Sequence, residues 1–269
     1  MESKDRQKIK DLYFELKEII DSIPGVNDEI RAALRFYKVS NSSAIETNYI
    51  DPIFLRTALY NGGDNGKHLV SPVYRKAFLE AQAHDRMLRS MEKEAADKAE
   101  LSVSLLLSWH RTLFEQSWPD IAGKFRDIDV RIRGSSHRPP HPSKVGELVY
   151  QHLAWLDGLM KLLGPVTPAS FFEILHVSAD AHFRLSWTYP FQDGNGRIAR
   201  AVSNYMLLYA GMPYNTIPFE HRDEYFKAIE KSTLSDFSPL EKFLFECYAK
   251  TLEKISGFVY LVKQTAGQA

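Results

Sequence analysis

The strongest constraint on this chain is a pair of helical patterns interrupted by a short glycine-rich break. Apolar residues recur at helical spacing after Thr167-Pro168 (Phe171, Ile174, Leu175, Ala181), over an arc wide enough for the central helix of a bundle. The pattern resumes at Ile198, continues to Ala210 and stops at Gly211-Met212-Pro213. Between them stands Tyr189-Pro190-Phe191-Gln192-Asp193-Gly194-Asn195-Gly196-Arg197, with Arg200 one turn further on. This reads as a loop feeding backbone N–H groups into a helix N-terminus, an end with unpaired donors and a partial positive charge. Gly194 and Gly196 allow positive φ and close approach of a ligand. Arg197 and Arg200, at i and i+3, offer guanidinium forks to phosphate oxygens. Asp193 is a hard oxygen ligand suited to a Mg²⁺ that arrives with the phosphates. The chemistry implied is a bound polyphosphate, most simply a nucleotide.

Composition narrows the remaining classes. The 269 residues suffice for one large domain or two small ones, and 44% hydrophobic with 25% charged residues is ordinary for a globular chain. Lys+Arg and Asp+Glu both number 34, so there is no global nucleic-acid footprint. A single cysteine, Cys247, excludes an internal disulfide and a multi-cysteine zinc site and fits a reducing compartment. Neither a secretory signal nor an apolar run near the ~18 residues of a membrane span is present, so the expectation is a cytoplasmic protein without a membrane partner.

Along the chain, helices are expected over residues 3–22, from a cap at Asn27 to about Val39, and after Asp51-Pro52, where the 61–66 turn cluster closes the last of them. A long helix starts at Ser71-Pro72 and runs to about Asp97, another spans Leu101–Gln116, and a third spans Val145–Leu163. His110 is expected to be a packed histidine, and His182 a satisfied core histidine. Ile128, Val130 and Ile132 alternate with Asp129, Arg131 and Arg133, so an isolated β-hairpin is expected, turned at Gly134-Ser135-Ser136 and leaving extended through His137–Pro142. The prolines between His137 and His141 rule out a helical metal pair. Further helices follow at Phe219–Ser232 and from Ser238-Pro239 to about Leu261; Tyr225 and Phe226 read equally as adenine-pocket walls or as core.

Pro190-Phe191-x-Asp193-Gly194-Asn195-Gly196-Arg197-x-x-Arg200 resembles the signature of Fic domain proteins. The resemblance implies an all-α fold, a Fic-type helical bundle with one small β-hairpin flap after Gly123-Lys124-Phe125-Arg126. It also implies transfer of AMP from ATP to a protein Ser/Thr/Tyr hydroxyl, with Mg²⁺ and ATP as cofactors. The catalytic positions are then Tyr189 and Asn195. The nucleotide would be held by Gly194, Asn195, Gly196, Arg197 (β-phosphate) and Arg200 (γ-phosphate), and the metal by Asp193. An unknown protein target would dock along the flap near 128–141 by β-augmentation. Ser42-Ser43-Ala44-Ile45-Glu46 resembles the family's inhibitory motif, with Thr47 where Gly or Asn is usual, so Glu46 is expected to pair with Arg200 and Ser42 to share that regulatory role. The implied division is an N-terminal helical region over 1–98 with the inhibitory helix near 42–50, a Fic core over 99–262 and a disordered tail over 263–269. Whether the chain forms a homodimer is left open.

One position departs from the signature: Tyr189 stands where the family carries its general-base histidine. Histidine titrates near ~6.5 and tyrosine near ~10, so about one tyrosine in a thousand is ionised at pH 7. Arg197, Arg200 and Mg²⁺ are expected to lower that pKa, and full rescue needs a drop of about 3 pH units. Three explanations stay open: a substitution in an otherwise active protein, a degenerate member serving as a binding module, or a proton acceptor supplied by His137 or His141. The reading is therefore a self-inhibited adenylyltransferase of impaired activity; the alternative is a catalytically inactive nucleotide-binding regulatory or interaction module. Phosphotransfer of the Doc type is weaker, since those relatives carry lysine where Gly196 stands.

Overall fold

In a computed structural model, residues 3–23, 25–47, 54, 59, 71–132 and 134–266 are described. Two helices meeting at the glycine loop form the centre. α6 (Phe171–Thr188) and α7 (Asn195–Tyr209) make the most extensive helix–helix contact among the described elements. Both are buried on almost every side, as the apolar width of the Phe171–Ala181 pattern implies. Around them pack α1 (Ser3–Ser22), α2 (Val26–Thr47), α3 (Pro72–Ala96), α4 (Val103–Phe114), α5 (Pro142–Leu163), a 3₁₀ turn (Phe219–His221), α8 (Arg222–Lys231) and α9 (Ser238–Ala266).

The ends of the central pair are set by local chemistry. Tyr189 caps α6 in the left-handed region (φ 49°, ψ 59°), and Pro190 follows, so the helix cannot continue. Gly194 enters α7 at φ 79°, where a Cβ would meet the Phe114 ring at 2.5 Å. That residue must be glycine for both reasons. The start of α6 is three residues later than Pro168; Thr167 and Ser170 bond to each other there, leaving Ser170 as the cap.

The all-helical class holds, with three local differences. Asn27 is not a cap: α2 runs unbroken from Val26 to Thr47, so the Ser42–Glu46 segment is the C-terminal end of a long helix, not a short helix of its own. Its buried face, with Ile30, Leu34, Val39 and Ile45, continues past Val39 without a break. No strand is present among the described residues of the flap; 124–132 and 134–141 have no regular secondary structure beyond a bend at Ile128 and a turn in which Ser135 N–H donates to the Ile132 carbonyl. Pro139, Pro140 and Pro142 supply no ladder donors on the returning arm. α9 reaches Ala266, past the boundary expected at 262. The helix expected after Asp51 and the 61–66 turn cluster lie outside the described residues.

This flap segment is anchored by one buried arginine. Arg126 Nε donates to the Tyr189 carbonyl (2.8 Å), Nη1 to Ile128 O (3.0 Å) and Nη2 to Pro140 O, while its backbone N–H donates to Pro190 O (3.0 Å). No helix among the described residues is long and apolar enough to cross a membrane.

Candidate functional site

The N-terminus of α7 opens on a cavity of about 940 Å³. That is near the upper end of the range usual for small-molecule sites. Its wall is made by the end of α2 (Glu46), the loop and α7 (Tyr189, Asn195, Gly196, Arg200), the segment anchored by Arg126 (Ile132, Ser135, His137) and α8 (Tyr225, Phe226, Glu230). The amides of Asn195, Gly196 and Arg197 have no acceptor among the described residues, as expected for the first turn of a helix.

The loop is held in shape from two sides. Asn195 Oδ1 accepts from Phe191 N–H and its Nδ2 donates to Phe191 O, both at 2.8 Å, closing the loop on itself. His110, on α4, stacks on the Phe191 ring at 3.9 Å between centroids. Its Nδ1 accepts from Gly123 N–H (3.0 Å), so Nε2 carries the proton and donates to the Asp193 carbonyl (3.1 Å). Burial pushes its pKa down to about 4, which keeps this neutral tautomer. The packed role expected of His110 is therefore also a positioning role.

Arg200 is fully committed. Nη2 donates to Glu46 Oε1 at 2.7 Å and to Ser42 O at 3.3 Å, Nε donates to Ser42 Oγ at 3.0 Å, and Nη1 reaches the Tyr225 hydroxyl at 3.5 Å. The arginine side chain is 3% exposed and Glu46 28%. The carboxylate lies against Gly196, where any Cβ would collide with Glu46 Oε1. A carboxylate at the C-terminal end of its own helix is disfavoured by the helix dipole, and here it gains the opposite field at the start of α7. The spacing of Ser42 and Glu46, one turn apart, brings both to the same guanidinium. Tyr225 also meets His182 Nε2 at 2.8 Å, so it is at once cavity wall and core.

Arg197 does not line the cavity. Its Nη1 donates to Glu80 Oε2 on α3 at 2.7 Å, its Cζ lies 4.8 Å from the centre of the Phe114 ring, and Nη2 is 3.8 Å from Asp193 Oδ1. Sequence reasoning missed Glu80. Its signal is a carboxylate among residues that are buried on α3 (Phe78, Ala81, Ala83, His84, Met87), where a partner is needed. Asp193 Oδ1 accepts from Gly194 N–H at 2.6 Å, and the side chain is 39% exposed. No group of three or more His, Cys, Asp or Glu suited to a metal occurs among the described residues. Asp193 thus offers one accessible carboxylate, enough for a Mg²⁺ that brings its other ligands with a polyphosphate.

Tyr189 shows the opposite shift from the one expected. Burial, then Glu46 and Asp193, raise its pKa above the ordinary 10, against a smaller opposing effect of the Asn195 hydrogen bond. The arginines cannot draw out a phenolate because both are already paired with carboxylates. His141 caps α5, its Nδ1 accepting from Ser143 N–H at 3.3 Å. His137 Nε2 donates to the Trp187 carbonyl at 2.7 Å, so that nitrogen accepts no proton.

Residues 100–207 match the Fic/DOC family profile, a stretch that takes in α6, the loop and most of α7. Over that stretch the chain carries a Fic domain. It is 26% identical over 243 residues to the protein adenylyltransferase Fic of Drosophila virilis, covering 89% of this chain and 47% of that protein. With the protein of the same name from Drosophila grimshawi it is 29% identical over 169 residues, 63% of this chain and 33% of that one. The chain therefore spans half or less of the length of these curated relatives. Its fold is that of a Fic-domain signalling protein from Bacteroides thetaiotaomicron (TM-score 0.78, 23% identity, covering 94% of this chain and 96% of that one). Fic-1 from C. elegans, residues 134–508, is similarly close (TM-score 0.75, 22% identity, covering 98% and 74%).

Proposed function

We propose that this chain is a nucleotide-binding Fic module of the adenylyltransferase type, held off by its own Glu46 and impaired in AMP transfer by Tyr189. The observation that carries the reading is the Glu46 carboxylate seated on Gly196 and Arg200, in the place a terminal phosphate would take. An anion site that the protein fills with its own anion is a site that excludes or misdirects an outside one. With Glu46 moved away, the three free amides of α7 and Arg200 bind phosphate oxygens, and Asp193 holds Mg²⁺, which when bound offsets phosphate charge. Asn195 keeps the loop in the shape that presents those amides. The described residues of the segment, 128–132 and 134–141, lie beside the cavity outside any strand and suit docking of a target chain as an added strand.

The missing part is a base. Transfer to a protein hydroxyl needs a group that removes its proton, and a phenol with a raised pKa is protonated at neutral pH. That observation also favours the second reading, a regulatory or interaction module that binds nucleotide without turnover. Calorimetric titration with Mg²⁺–ATP and mass measurement after incubation separate the two. Binding without an added AMP favours the module, binding with it favours the enzyme, and no binding by either the parent or Glu46→Gly rejects the site.

A further inference from the structure

Beside the Glu46–Arg200 contact stands a second carboxylate–arginine pair that the reading above leaves unused. Glu80 and Arg197 are both nearly enclosed, with side chains 10% and 6% exposed. Their contact is single-pronged, one Nη1–H to Oε2 bond, where a guanidinium and a carboxylate can make two. Three buried polar atoms around it have no hydrogen-bond partner among the described residues: Glu80 Oε1, Arg197 Nε, and His84 Nδ1 one turn further along α3. Lys76 Nζ comes only to 3.6 Å of Glu80 Oε1. Buried polar groups are ordinarily satisfied, and a cluster of exceptions calls for a reason. A guanidinium with an idle N–H, on the first turn of the helix whose amides face the cavity but itself outside it, is short of an acceptor.

We propose that Glu80 is a second carboxylate tether on the phosphate site: it parks Arg197 on α3, and Arg197 turns to the β-phosphate only by leaving it. This rests on the nucleotide reading given above. The two tethers differ in kind. Glu46 sits at a helix end and is partly exposed, so it can be displaced. Glu80 sits in the interior of a 25-residue helix and stays, so it sets how strongly Arg197 responds to a second phosphate. Its effect therefore falls on discrimination between nucleotides that have a β-phosphate and those that lack one.

The test uses the Glu46→Gly protein, with and without Glu80→Gln, titrated calorimetrically with AMP and with ADP in Mg²⁺. Glutamine keeps the shape of the side chain and removes the charge that retains Arg197. ADP affinity is expected to rise about tenfold while AMP affinity stays within about twofold. Glu80→Asp, which shortens the tether without burying a new group, is expected to move ADP in the same direction and serves if the glutamine variant fails to fold. Equal changes for AMP and ADP, no change in either, or weaker ADP binding each overturn the proposal; the last would mean that Glu80 aims Arg197 at the phosphate. If the Glu46→Gly protein binds neither nucleotide, the nucleotide reading itself fails, a result distinct from an unchanged ADP-to-AMP ratio.

Discussion

Tyr189 carries two burdens at once. Its backbone is left-handed, a region that bulky residues seldom occupy and that histidine enters more readily. Its phenol is held protonated by burial and by two carboxylates. Tyr189→His in a Glu46→Gly background is therefore expected to raise AMP incorporation by about 10²–10⁴-fold, the usual worth of a general base. A mass shift of one AMP on the protein or on a supplied target reads it; equal incorporation with tyrosine and histidine would show that this side chain is not what limits transfer. Glu46→Gly alone leaves Arg200 with neutral partners among the described residues, Ser42 and Tyr225. It is expected to cost about 1–3 kcal/mol of stability without ligand, and saturating Mg²⁺–ATP is expected to recover part of that through binding to the folded state. Melting curves of parent and variant with and without nucleotide check both halves.

At the scale of elements, the loop and its flanking helices act as one unit. Asn195→Ala removes both bonds that close the loop and strands two buried groups of Phe191. A loss of about 2–4 kcal/mol is expected, together with loss of nucleotide binding even in the Glu46→Gly protein, by denaturant titration and calorimetry. Much of this unit was legible in advance. The glycines, Asp193 and the paired arginines pointed to a helix mouth because their types and spacing are local properties. The pairing of Ser42 and Glu46 with Arg200 followed from a resemblance, and geometry supplies its reason. What could not be read was long-range. Glu80 lies 117 positions from its arginine, and no local pattern links them. The hairpin expected from alternation at 128–132 is not seen among the described residues; alternation reports two faces and says nothing of a partner strand, and the prolines on the return arm withhold donors. The second helix was expected to end about Val39, but α2 runs on to Thr47, with Ser42 and Ser43 buried in the packed interior.

Over the whole molecule, buried histidines set the response to acid. His110 and His152 are pushed down to about 4, and His84 and His182 well below the ordinary value, each first by burial. The unfolded chain binds protons near pH 6.5 that the folded chain does not, so stability rises with pH in this range. It is fully present above about 6.5 and drains away as pH falls toward 4, by at most ~1.4 kcal/mol per group per pH unit. The melting temperature is expected to drop by several degrees between pH 7 and pH 5; a flat profile would mean that these rings are solvated in solution. Lys38, buried on α2 with the Asn215 carbonyl as its acceptor and lowered to about 7, acts in the same direction at higher pH. The fold class and the order of helices were visible in periodicity because a bundle writes its core into every turn. The polar interior was not, since Lys38, His84, Glu80 and Arg197 look like surface residues until the helices meet.

Arg126 gathers carbonyls from both arms of the segment at 128–140 and from the turn at Tyr189. Ruler and jaw are thus cut from one piece: on the proposed function, a target chain laid along the segment would be measured from a fixed zero at the phosphate end. Lysine in its place keeps the charge but, as a point donor on a loose stem, surrenders that calibration. The expected result is blurred choice of which hydroxyl along a docked chain is offered, with the grip on nucleotide left intact.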